Sequence, residues 1–78
     1  MLFRSERLRA LVPEWKELNW RQTVNDMEAF GQKTASLGTE YAERVLIEWG
    51  ETVQGAAYQF DLERLNRVFA RFPEFIDE

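Results

Sequence analysis

The sequence predicts an all-α fold: a small antiparallel up-and-down bundle of four helices, the first short or split, in a single domain spanning 1–78. Three observations predict it. Between Thr39 and Phe60, apolar residues recur at 42, 46, 49, 53, 56 and 60, in steps of four and three. A strand alternates every second residue, so this spacing is a helical seam. Two flanking segments repeat the pattern, Trp20, Val24, Met27 and Phe30 on one side and Leu62, Leu65, Phe69 and Phe72 on the other. The connections are short, which favours antiparallel neighbours, and seams of this spacing favour crossing angles near 20°.

Taken in order, Ser5 can cap a short helix through Val12, with Leu8, Leu11 and Val12 as its apolar side. Pro13 then ends that helix or opens another, since proline suits a first turn and disfavours helix just before it. Glu14 and Glu17 fit the positive end of a new helix dipole. Asn19 and Gln22 form a capping-box pattern, so the preferred reading is a short turn before a helix from Trp20. Gly31 and the segment Thr34-Ala35-Ser36-Leu37-Gly38 end that second helix, with Leu37 turned back as a plug. The long helix follows from Thr39 as cap, and Glu40, Arg44 and Glu48 form a supporting ladder along it. Within it Gly50 suits a close approach of another helix, whereas Gly55 suits a kink or early stop. Asp61 caps the last helix, Phe60 can staple onto Leu65, and Pro73 stops it. Phe75 and Ile76 are expected to fold back over the core.

Composition removes most function classes. There is no cysteine and no histidine. Thiol nucleophiles, imidazole bases, thiolate or imidazole metal sites and phosphorylatable histidines are therefore unavailable among these residues. The net charge of −4 argues against general affinity for nucleic acid, which depends on basic charge. No apolar run reaches the roughly 20 residues of a membrane span, and the first ten residues do not read as a signal peptide, so the expected location is cytoplasmic. The start of the chain is basic (Arg4, Arg7, Arg9) and its end acidic (Glu74, Asp77, Glu78). These ends read as solvated, with the alternative that they meet in the fold or across a dimer.

The aromatic stripes read as core, with Trp15 and Trp20 placed to cover a bundle end. Carboxylates are plentiful, but none sits in apolar surroundings that would suit acid–base work, and no phosphate-binding or metal-binding motif occurs. An enzyme is not expected, nor a cofactor. Two surfaces remain. Arg64, Arg67 and Arg71 share one face of the last helix and could receive an acidic partner or a phosphate through guanidinium forks. The alternative is a solvated flank paired with Glu63 or with acids of the long helix. Ile47 and Tyr58 stand off the main seam and would form a second apolar face for a partner or a dimer, or be packed by the N-terminal segment.

Leu11-Val12-Pro13-Glu14-Trp15, together with Gln59-Phe60-Asp61-Leu62-Glu63-Arg64-Leu65, resembles a helical segment at the C-terminal end of bacterial hybrid sensor histidine kinases. The likeness spans Leu11 to Phe72. It implies an accessory role in two-component signal transduction, in contact with a receiver or kinase domain, and it carries no functional residue across. A phosphotransfer bundle is excluded within these residues, since that function needs a histidine. The expected function is thus a non-catalytic protein-interaction module using Arg64, Arg67, Arg71, Ile47 and Tyr58. The alternative is a self-contained homodimeric adaptor or regulator.

Overall fold

The computed structural model describes residues 4–76 and contains four α-helices: α1 Arg4–Arg21, α2 Val24–Glu40, α3 Arg44–Tyr58 and α4 Leu62–Phe69. A 3₁₀ turn over Phe72–Phe75 follows, and no strand occurs among the described residues. The all-α bundle is therefore what the chain forms, but its helix boundaries differ from those the local signals suggest.

The first helix is neither short nor split. It runs 18 residues straight through Pro13. Pro13 lies on the exposed side, where solvent replaces the missing donor at least cost. Leu8 before it and Trp15 and Leu18 after it are all buried, and with half-buried Leu11 they space as three, four and three. Packing on both sides of the proline thus outweighs its local preference. No helix begins at Asn19 or Trp20; α2 starts at Val24 after the cap position Thr23. The proposed cap at Ser5 concerns a side chain outside the described ones.

Gly31 and Gly38 do not end α2 either, because both lie inside it, facing α3. Gly31 and Gly50 lie face to face: a Cβ on Gly50 would collide with the Gly31 carbonyl and lie 2.8 Å from the Ala35 Cβ. A Cβ on Gly31 would lie 2.8 Å from a Val53 methyl. Gly38 meets Ile47 in the same way. Numbers fall along α2 as they rise along α3, so the two helices are antiparallel and almost touch at their backbones. Ion pairs Arg7–Glu40 and Glu14–Lys33 set the same antiparallel sense for α1 and α2. Between α3 and α4, the pairs Ala56–Asp61 and Trp49–Val68 do likewise.

The long helix from Thr39 to Phe60 is broken at its start. Residues 41–43 form a turn, Ala42 takes φ 56°, and α3 begins only at Arg44. Glu43 N–H donates to the Gly38 carbonyl and Ala42 N–H to that of Thr39, a Schellman closure. The same closure ends α3, with Phe60 at φ 55° and Asp61 N–H donating to the Ala56 carbonyl. Ala42 and Phe60, the two ends of the predicted seam, are therefore turn residues, while Leu46, Trp49, Val53 and Ala56 between them are buried. Gly55 does not stop α3, which runs on to Tyr58.

Asp61 caps α4 as expected, accepting from Arg64 N–H at 3.2 Å. Phe60 does not staple onto Leu65, since its ring is exposed, and Leu62 is exposed rather than core. Eight residues are too few to hold a helix alone. Two indoles hold it instead. Trp15 Nε1 donates to the Phe69 carbonyl at 2.9 Å and Trp49 Nε1 to the Val68 carbonyl at 2.8 Å, at the helix end where carbonyls lack intrahelical donors. Around them Phe30, Phe69 and Phe72 pack at centroid distances of 5.1–6.2 Å. Phe75 and Ile76 do fold back onto this cluster. One buried polar atom in the described core is unmatched: Thr34 Oγ1 has no hydrogen-bond partner.

Candidate interaction surface

The topology brings the end of α1, the start of α2, the end of α3 and the start of α4 to one end of the bundle. Four large apolar side chains are exposed there: Trp20 at 86%, Tyr58 at 81%, Phe60 at 72% and Leu62 at 52%. Trp15 is buried in the middle of the bundle instead, so only Trp20 of that pair belongs to an end. Phe60 is the least expected of the four. A left-handed φ costs an L-residue about 1–2 kcal/mol, and a Schellman closure ordinarily uses glycine there.

Arg64 and Arg67 are exposed on α4, whereas Arg71, also exposed, lies two residues past the end of that helix and caps the 3₁₀ turn. Arg71 pairs with Glu74 at 3.3 Å, and the other two make no ion pair among the described residues. They do not pair with Glu63. Ile47 and Tyr58 are separated in role. Ile47 is half-buried and packs over the bare Gly38 backbone on α2, while Tyr58 projects into solvent. On α2 it is Gly38 that meets Ile47.

Two of the remaining ion pairs, Arg7–Glu40 and Glu14–Lys33, tie helices together. Arg7 donates to Glu40 at 3.2 Å and to the Tyr41 hydroxyl at 3.5 Å, and its guanidinium lies 5.9 Å from the Tyr41 ring centroid. The Tyr41 hydrogen bond first, and the Glu40 charge next, raise the Arg7 pKa above its ordinary value. Glu40 thus serves α1, and Arg44–Glu48 at 3.7 Å is what remains of the ladder. Of the basic start of the chain, Arg7 is in this way joined to Glu40 and Tyr41, and any pairing with Asp77 and Glu78 lies outside the described residues. No group of three or more carboxylates is gathered to hold a metal ion among the described residues. No described helix is long and apolar enough to cross a membrane.

A furrow separates α3 from α4. It opens as two cavities of about 480 and 230 Å³ that share Glu48 and Thr52 as lining residues. Sequence reasoning missed it, along with Phe60 and Leu62 as surface groups. The spacing of Arg64, Val68, Arg71 and Phe75 is visible in the sequence, but a groove needs the facing helix as well. Comparisons with family models, with curated proteins and with solved structures return no significant match.

Proposed function

We propose that this chain is a non-catalytic protein-interaction module, acting as an accessory domain of two-component signal transduction in contact with a receiver or kinase domain. Phe60 carries this reading. The chain keeps a bulky ring at a backbone position better suited to glycine, and the core does not use that ring. Clustered exposure of large apolar groups is characteristic of contact surfaces, and the arginines of α4 supply adjacent forks for carboxylates. The partner class rests on the resemblance described above.

The test is a titration of the isotope-labelled chain with purified receiver and kinase domains of the same organism, followed by amide chemical shifts. Shifts should concentrate at Tyr58, Phe60 and Leu62 and along Arg64–Arg71. The triple variant Arg64→Glu, Arg67→Glu, Arg71→Glu should keep the helical circular dichroism and bind about tenfold more weakly. Unchanged affinity removes the arginine face, and no binding to any such domain removes the signalling assignment. A second reading, a homodimeric adaptor, is favoured by the same apolar end. A mass in light scattering that is twice the chain's and independent of concentration would select it.

A further inference from the structure

Resting on the reading of the chain as an interaction module, we propose that the furrow between α3 and α4 is the seat of an amphipathic helix from a partner protein, acidic along one flank and basic along the other. The two cavities adjoin end to end along α3, with Glu48 and Thr52 lining both, and together they make the trough. Its α3 bank runs from Val45 to Gln59, about 21 Å at 1.5 Å per residue, the length of a four-turn helix. Its α4 bank begins with Arg64 and Val68 on α4 and continues past the end of that helix through Arg71 and Phe75. Val45, Trp49, Val68 and Phe75 make one half of the trough apolar, which suits the anchor stripe of a bound helix.

Charge complementarity fixes the flanks. The α4 bank carries Arg64 and Arg71, with Arg67 on the same exposed face. The α3 bank carries Glu48 and Glu51. A helix lying between them meets cations on one side and carboxylates on the other, so a uniformly acidic or uniformly basic helix satisfies only one bank. The existing pairs Arg71–Glu74 and Arg44–Glu48 are exposed and yield at little cost. Small side chains keep the trough open. A Cβ built on Gly55 meets no atom within 4 Å, and Thr52 at the junction turns its hydroxyl back to the Glu48 carbonyl.

The probe is a synthetic 15-residue helix with leucines at i, i+4, i+7 and i+11, glutamates on one flank and lysines on the other. Two controls keep the leucines and carry only glutamate or only lysine. The mixed peptide should bind about tenfold tighter than either control and shift the amides of Val45, Thr52, Gly55, Val68 and Arg71. Thr52→Phe should plug the trough. Gly55→Leu should weaken binding about tenfold while leaving the melting temperature undiminished, because its side chain enters empty space. Equal or absent binding of the three peptides overturns the proposal. So does Gly55→Leu binding like the parent, or shifts confined to the Trp20 and Phe60 end. A dimer in light scattering that Gly55→Leu converts to monomer would make a second copy the occupant and overturn the partner. A receiver or kinase domain that binds irrespective of Gly55→Leu keeps the proposed function and removes only the trough. Peptide binding without any such domain does the reverse.

Discussion

Replacing Gly50 by alanine tests the packing on which the bundle depends. By helix propensity alone the change should help, since alanine is favoured over glycine inside a helix by about 1 kcal/mol. The structure reverses the sign. The new Cβ would collide with the Gly31 carbonyl and lie 2.8 and 2.9 Å from the Ala35 Cβ and N, where ordinary contacts are about 3.5–4.0 Å. All three neighbours are backbone or fixed directly to it, so none can rotate away. The two helices must part by several tenths of an ångström and loosen the packing of Phe30, Leu46 and Val53. Overpacking of this kind costs about 1–3 kcal/mol and occasionally more, and rigid neighbours place it at the upper end. The net effect should be destabilisation by about 2 kcal/mol, a fall in Tm of about 8–16 °C for a domain this small. Gly55→Ala is the internal control. It lies in the same helix with nothing within 4 Å of its Cβ, so only propensity acts and Tm should rise by about 4–8 °C. Urea unfolding followed by circular dichroism, at unchanged m-value, reads both. The two variants should differ by about 3 kcal/mol, and equal stabilities would refute the close approach of α2 and α3.

Three further outcomes follow from the same geometry. Thr34→Val removes a fully buried hydroxyl that has no partner, at nearly constant shape, and should stabilise the chain by about 1–2 kcal/mol in the same urea assay. Ala42→Gly relieves a left-handed residue that buries nothing, and the gain of about 1–2 kcal/mol exceeds the roughly 0.4–1 kcal/mol of extra unfolded-state freedom. A rise in Tm of several degrees is expected, about 4–8 °C per kcal/mol. Trp15→Phe leaves the Phe69 carbonyl without its indole donor and should cost about 2–3 kcal/mol. Amide exchange should show α4 losing protection before α2 and α3 do.

The core of α3 and the cap of α4 were legible because they depend on near neighbours in sequence. Leu46, Trp49, Val53 and Ala56 follow the heptad steps and are buried, and Asp61 caps through a residue three positions on. What misled was the local grammar of helix breaking. Pro13, Gly31 and Gly38 are ordinary stop signals, yet each lies inside a helix. Leu8, Leu11, Trp15 and Leu18 keep their heptad spacing across Pro13, so the periodicity was there and the proline masked it. In α2 the same spacing runs through Met27, Phe30, Thr34 and Leu37 and reaches the C-cap Tyr41. The seam is legible as far as Phe30, and its continuation is masked because a threonine stands where an apolar residue is expected.

The true breaks carry almost no local signature. They fall at Gln22, Ala42 and Phe60, three residues with left-handed φ of which none is glycine. Their turns are closed by backbone hydrogen bonds such as Glu43 N–H to the Gly38 carbonyl at 2.7 Å, available to any residue type. Ala42 and Phe60 also stand in register with the α3 seam, so periodicity extended the helix over both of its own ends. The same accident hid the surface. A residue counted as seam is assigned to the core, and only the turn at Phe60 shows that its ring faces out, beside Tyr58 and Leu62. The arginine spacing on α4 could be read directly, but its meaning depends on the facing bank of α3. Gly31 and Gly38 look like breaks but are contacts, and Ala42 and Phe60 break the chain but look like core. The proposed contact surface lies at one of these breaks, the turn between α3 and α4, where Phe60 takes a left-handed φ.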